Sequence, residues 1–290
     1  MKQELLYEIV DGTVGITGVK GENTHWEIPA EIEGYPVTVI KKKAFLGNKS
    51  VKSISLPASM KELEDWAFAH CSNLETITLP RKPIYMGKGV CKDCMKLDKI
   101  LLTQEPSKED HMIGRLLAAV PVLMEAEYLF DAAHAGTEEW LKKWDSRMIT
   151  LLKRKDESGF TKMVLCGEED LLANLPDYVA EKQRSKARIC FLRLQNNIQL
   201  SIENTEKLRK YLLEHTKGCQ SEAAWEVVLR EHGDEWSYYQ TLIDADAIHQ
   251  DNLPGMLLDM GENHAEMKAY LLRYREENLM KQDFFHQLSL

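Results

Sequence analysis

Between residues 28 and 102 the apolar positions fall in short runs that recur at one spacing. Ala44 and Phe45 return as Ala67 and Phe68. Val51, Ile54, Leu56 and Pro57 return as Leu74, Ile77, Leu79 and Pro80, and Ile40 returns as Leu63, each moving from position i to i+23. A third, more divergent copy carries Cys71, Leu74, Ile77 and Leu79 over to Cys94, Leu97, Ile100 and Leu102. There Val90-Cys91 replaces the Ala-Phe pair and no proline closes the copy, as suits a terminal repeat. Within Leu74-Glu-Thr-Ile77-Thr-Leu79 the alternation has period two, which predicts a strand with one buried face. Pro80 ends it, because proline has no N–H to give a ladder. The Ala-Phe pair and Cys71 are expected in the opposite turn, filling the interior. One such unit cannot cover its own apolar face. Stacked units can, and each buried Leu or Ile then contributes about 1.5–3 kcal/mol.

Ahead of the repeat, two β-runs flank Asp11-Gly12 in Tyr7-Glu-Ile-Val-Asp-Gly-Thr-Val-Gly-Ile-Thr-Gly, a hairpin signal. From Thr103 onward the alternation stops. Residues 103–110 are polar and contain a proline, so they read as a linker, and helix signals follow. Ser107 precedes an acidic first turn before Met112, Ile113, Leu116 and Leu117. Gly136-Thr137-Glu138-Glu139 stops one helix and caps the next, which carries Trp140, Leu141, Trp144, Met148, Ile149 and Leu152. Gly167-Glu168-Glu169-Asp170 reads as another start. Leu175 and Val179, then Ile189, Leu192 and Leu194, read as two further segments. Gly218, Gly233 and Gly261 punctuate the last third. These signals predict about nine to eleven helices. The expected architecture is therefore α+β in two domains: a short β-solenoid at 1–103 with an N-terminal hairpin cap, and an all-helical domain at 104–290.

The repeating unit resembles the BspA-like leucine-rich repeats of bacterial proteins, whose coil runs approximately Ile-x-Ile/Leu-Pro and then Ala-Phe-x-x-Cys-x-x-Leu. The matching residues are Ile54, Leu56 and Pro57; Ala67, Phe68, Cys71 and Leu74; and Ile77, Leu79 and Pro80. Ile28-Pro29 followed by Gly34-Tyr35-Pro36-Val37 resembles the way such arrays begin. The likeness covers about residues 5–102, and it implies a solenoid used for binding. In the helical part Leu208-Arg-Lys-Tyr211-Leu212-Leu213 is echoed further on by Met267-Lys-Ala-Tyr270-Leu271-Leu272. Residues 265–272 are also reminiscent of an ankyrin-like inner helix. Stacked helical hairpins and an irregular bundle both remain open at this point.

Charge sharpens the division. The chain of 290 residues has net charge −9; residues 1–103 hold fourteen Lys+Arg against thirteen Asp+Glu, and the remainder twenty-three against thirty-three. An acidic helical half argues against a nucleic-acid partner, since phosphate binding needs surplus cations. No run is long and apolar enough for a membrane span, and residues 1–13 lack the apolar core of a signal peptide. With Met1 as the natural start, the expected location is cytoplasmic. Six scattered cysteines are sparse for a disulfide scaffold and are expected to be free thiols.

Motifs for chemistry are few. Cys91-Lys-Asp-Cys94 has zinc-knuckle or redox spacing, and the repeat brings Cys71 alongside. Yet the repeat already accounts for Cys71 and Cys94, and Cys91 occupies the Phe slot, so a structural role is expected and no metal. Cys166 lies just before the Gly167 helix start, where three carboxylates would oppose a thiolate. His232 lies among Glu231, Asp234 and Glu235 without metal-site spacing. Lys41-Lys42-Lys43 reads as surface. The sequence lacks GxSxG, Walker A, GxGxxG and EF-hand patterns, and no cofactor is implied. What remains are the outward strand positions: Lys52, Ser53 and Ser55 should stack with Glu75, Thr76 and Thr78, and then with Asp98, Lys99 and Leu101. The expectation is a non-enzymatic module that binds a protein partner through this column. Two alternatives stay open: a ligand-binding or enzymatic helical domain targeted by the repeat, and an exported adhesin if the natural N-terminus is longer.

Overall fold

The computed structural model describes residues 4–103, 108–124, 126–161, 174–217 and 222–279. The chain divides into two units, Met1–Ile149 and Thr150–Leu290.

The first unit opens with a hairpin, β1 (Glu4–Val10) and β2 (Thr13–Lys20), paired antiparallel through Val10 and Thr13. Asp11 and Gly12 turn it with φ of 48° and 73°, the left-handed pair that an Asp-Gly turn supplies. The chain then winds as β3 (His25–Glu27), β4 (Glu31–Ile32), β5 (Tyr35–Ile40), β6 (Ser53–Ser55), β7 (Glu62–Leu63), β8 (Thr76–Pro80), β9 (Tyr85–Met86) and β10 (Lys99–Thr103). Two sheets result, one ordered β1-β2-β5-β7-β9 with β4 beside β5, the other β10-β8-β6-β3. Every coil-to-coil pairing is parallel. Successive coils superpose their apolar residues: Trp26, Ile54, Ile77 and Ile100 form one interior row, and Ile16, Ile40, Leu63 and Met86 the other. Leu79 pairs with Leu102, and Leu56 N–H donates to Thr78 O beside them. The stacking expected of the repeat is thus present.

The turn opposite also carries a ladder. Phe45 N–H donates to Ala67 O at 2.8 Å and Phe68 N–H to Val90 O at 2.9 Å. Trp26, Phe45 and Phe68 pack as an aromatic file with centroids 5.8 and 5.3 Å apart, and Cys91 follows in the same slot. The period extends to the backbone. Lys43, Trp66 and Gly89 are left-handed, with φ of 63°, 56° and 56°, and so are Gly47, His70 and Asp93, with φ of 69°, 59° and 58°.

One coil escapes the regular spacing. Trp26 pairs with Ile54, at i+28 instead of i+23. The extra length holds β4, which folds back on β5 through Glu33 and Gly34. His25-Trp26-Glu27-Ile28-Pro29 nonetheless has the same pattern as Ser53-Ile54-Ser55-Leu56-Pro57.

The far end is closed by helices. These are α1 (Lys108–Ala119), a π-turn at Val120–Met124, a 3-10 turn at Glu127–Leu129 and α2 (Glu138–Lys153). α1 lies directly on β10: a Cβ at Gly114 would stand 2.5 Å from Ile100 O. Arg115 pairs with Asp98 at 3.2 Å. α2 is capped by Thr137, whose Oγ1 accepts from Trp140 N–H. It locks onto α1 through the Trp144 indole, which donates to Leu116 O at 3.1 Å. The strand-to-helix change falls between β10 and α1, where the sequence divides 1–103 from 104–290. The first unit, however, runs to Ile149. The reason is packing: α1 lies on β10 as the lid of the solenoid, and the Trp144 indole ties α2 to α1.

The second unit contains α3 (Leu175–Gln195), α4 (Ile202–Glu214), α5 (Ala223–Glu231), α6 (Trp236–Asp244), α7 (Leu253–Asp259) and α8 (Ala265–Tyr274). With α1 and α2 there are eight α-helices among the described residues. The readings at Gly167–Asp170 and Gly218 lie outside those residues. The two segments expected around Val179 and Ile189 are one helix, because the polar stretch between them is ion-paired: Arg184 and Arg188 both reach Glu181. α3 joins α5 through Arg184–Glu226 at 2.8 Å and Arg188–Glu231 at 2.7 Å, and α5 joins α7 through the Trp225 indole on Asp259 at 3.0 Å. α4 packs on α6, and α6 meets α8 through Trp236–Tyr270 and Tyr270–Gln240 contacts. Odd and even helices therefore form two layers of stacked hairpins. The echo between 208–213 and 267–272 falls on even-layer helices, with Leu208, Leu212, Met267 and Leu271 all buried. The Arg193 side chain, fully buried, donates to Asn196 O and Ile198 O and so ties the turn between α3 and α4.

Gly114→Ala should force α1 away from β10, and thermal or urea denaturation should show a loss of about 1–3 kcal/mol. A second outcome concerns pH. Burial pulls the Glu181 carboxyl upward, but hydrogen bonds and charge from Arg188 and Arg184 overcome this and hold it below its ordinary range. A depressed folded-state value gives stabilisation that is present above the unfolded value of about 4.3 and lost as pH falls. The stability deficit of Glu181→Gln relative to the parent, read by melting temperature, should shrink as pH drops from 7 to 3.

Candidate interaction surface

The outward side chains of β3, β6, β8 and β10 form two parallel rows. His25, Ser53, Thr76 and Lys99 are in register, and so are Glu27, Ser55, Thr78 and Leu101. Period-two alternation puts them outside because Trp26, Ile54, Ile77 and Ile100 point inward. A third row flanks these at the start of the strands: Glu75 N–H donates to Lys52 O at 2.8 Å and Asp98 N–H to Glu75 O at 3.1 Å. Lys52 and Glu75 form an exposed ion pair at 3.7 Å. The structure thus brings together Lys52, Ser53, Ser55, Glu75, Thr76, Thr78, Asp98 and Lys99 as one column.

It also adds a strand the spacing concealed. His25 Nδ1 is 2.7 Å from Ser53 Oγ, and a shallow depression of about 430 Å³ is lined by His25, Trp26, Glu27, Ser53, Ile54, Ser55 and Thr78. The signal available was the alternation closing on Ile28-Pro29. Hydroxyls dominate the centre of this face and charges its margin. Such a surface offers donors and acceptors in a fixed array, the His25 imidazole and the Ser53 hydroxyl among them.

Cys71, Cys91 and Cys94 are fully buried free thiols. Cys71 Sγ–H donates to Phe45 O at 3.1 Å and Cys94 Sγ–H to Phe68 O at 3.0 Å, one coil back in each case. Hydrogen bonding to Cys94, then burial, pushes the Cys91 thiol up, and Cys91 is fully buried. His70, which could have completed a ligand set, turns outward on its left-handed backbone and meets Asp93 at 3.2 Å. Among the described residues no group of three or more His, Cys, Asp or Glu side chains is placed to hold a metal. All three cysteine side chains lie in the interior of the coils.

His232 is likewise spoken for. It stacks on Tyr238 with centroids 3.7 Å apart and pairs with Glu235 at 2.7 Å, while Glu231 serves Arg188 and Asp234 serves His264. Cys166 lies outside the described residues. One further concavity, of about 490 Å³, is formed by the 3-10 turn and the start of α2. Its lining includes Tyr128, Leu129, Asp131, His134, Glu139 and Lys143, with His134 Nδ1 2.8 Å from Asp131 Oδ2. Sequence reasoning missed it, because His134 and Asp131 have no motif spacing. No described helix is long and apolar enough to cross a membrane.

Residues 27–110 match the sequence model of a BspA type leucine rich repeat region of six copies. No curated protein matches the chain. Among solved structures, a leucine-rich repeat protein from Bacteroides ovatus is 30% identical over 34% of this chain and 28% of its own, with a TM-score of 0.32. The T. pallidum leucine rich repeat protein is 23% identical over 34% of this chain and 61% of its own, with a TM-score of 0.28. A leucine rich cell surface protein from Faecalibacterium prausnitzii is 24% identical over 33% of this chain and 29% of its own, with a TM-score of 0.31. In each case the likeness spans less than two thirds of the other protein. The match to BspA-type leucine-rich repeats is confined to the N-terminal third of this chain, the segment that forms the stacked coils.

Proposed function

We propose that the protein is a non-enzymatic interaction module that takes a protein partner on the outward face of β3, β6, β8 and β10. One observation carries this reading: four strands from four coils place their outward residues in register as a continuous, rigid, polar surface. Leucine-rich-repeat proteins are generally protein-interaction modules, and 27–110 matches that family's pattern. Solenoids use such surfaces because neighbouring coils fix each side chain without loops. The acidic helical unit supplies a second surface. Full-length protein should capture a partner from native lysate, and Ser55→Arg/Thr78→Arg should weaken that capture about tenfold or more. Glu206→Arg, an exposed change on α4, should leave it intact. Equal capture by all three proteins would remove the strand face from the reading.

A second reading has its own observation, the cleft beside Tyr128. Its His134–Asp131 pair and mixed apolar and polar lining suit a small polar ligand. On this reading a metabolite panel contains a compound that raises the melting temperature of the parent protein and leaves that of His134→Ala unmoved.

A further inference from the structure

The corner that follows β5, β7 and β9 lies away from the strand face and has different chemistry. Its columns run Lys42, Asp65, Lys88 and Lys43, Trp66, Gly89. They are held in register by Lys43 N–H on Asp65 O at 3.2 Å and Trp66 N–H on Lys88 O at 2.9 Å. Trp66 occupies a left-handed backbone position, φ 56°, where a bulky side chain is uncommon. Its indole lies against the next coil: a Cβ at Gly89 would stand 2.8 Å from Trp66 Cδ1. Lys42 Nζ and Lys43 Nζ stand 5.1 and 5.3 Å from the ring centroid. One strained indole therefore gathers two ammonium groups.

The local carboxylates each hold a hydrogen-bond partner. Glu64 pairs with Lys41 at 3.3 Å and accepts from Lys42 N–H at 2.8 Å. Asp65 accepts from Lys88 N–H at 2.8 Å, and Glu127 from Gly89 N–H at 3.2 Å. Lys41 has two carboxylate partners, Glu8 and Glu64. Among the described residues the ammonium groups of Lys42, Lys43 and Lys88 have no ion-pair partner; Lys42 and Lys43 converge on the indole, and Asp65 is the carboxylate within the column.

We propose that Lys42, Lys43, Trp66 and Lys88 form a docking surface for an acidic polypeptide segment. The patch spans three coils, about 10 Å at roughly 4.8 Å per coil, which suits two or three carboxylates of an extended chain. The ring lies against the next coil and beneath the lysines, so it offers no platform for a base. The surface does not depend on the strand-face reading.

The test uses the full-length protein and a fluorescein-labelled deca-glutamate peptide, read by anisotropy at low salt. Saturable binding is expected. Lys42→Ala/Lys43→Ala should weaken it about tenfold, as two exposed charge contacts allow. Trp66→Gly, which suits the left-handed backbone, should weaken it about two- to threefold by letting the lysines splay. Lys207→Ala/Lys210→Ala removes the same charge from α4 and should change nothing. Circular dichroism of each variant should match the parent. Absence of saturable binding overturns the proposal, as does equal weakening by the α4 control. Tighter, lysine-dependent binding of a deca-thymidine oligonucleotide or of phosphatidylserine vesicles would likewise overturn it.

Discussion

Everything in the first unit depends on one constraint: a single coil of this chain is too thin to have an inside of its own. Its interior is made only when the coils above and below press their Ile, Leu and Phe residues against it. Three hydrogen-bonding faces keep those layers aligned, the two sheets and the ladder through the Ala-Phe turn. Because each face has the same period, an outward residue can be placed only where the coil beneath allows. Surface order is thus inherited from core order.

The ends of such a stack present a different problem, since each exposes an apolar layer and an unpaired strand. The two ends are managed by different means. At the start, the antiparallel β1–β2 hairpin lays Ile16 on Ile40 and the larger ring of Trp26 covers Phe45. At the finish, α1 replaces the next strand, approaching so closely at Gly114 that a methyl group is excluded. The helices beyond the repeat are therefore of two kinds: those that finish the solenoid, and the stacked hairpins from α3 onward.

Much of this was legible in the residues. Ala67, Phe68, Cys71, Leu74, Ile77 and Leu79 repeat by spacing, and spacing is a direct record of coil length. The outward column followed from it without further information. Two things were less visible. The first coil was hidden by the short insertion that forms β4, although His25-Trp26-Glu27-Ile28-Pro29 keeps the strand pattern. The allegiance of α1 was hidden because an amphipathic helix shows that it buries a face, never against what. The cleft at His134 and the lysine corner at Trp66 arise from residues without motif spacing or on separate coils. Only three-dimensional register brings such residues together, and no local pattern announces it.

The left-handed positions at 43, 66 and 89 and at 47, 70 and 93 have a consequence for how this chain can change over evolutionary time. Each coil closes on itself through the same pair of backbone bends, so the junction between any two coils is geometrically interchangeable with the junction between any other two. A duplication or deletion of one whole unit between the hairpin and α1 would leave both caps facing the surfaces they already fit. Length is then a free variable in steps of one complete coil, whereas any fractional change must be absorbed as a side loop, as β4 already illustrates.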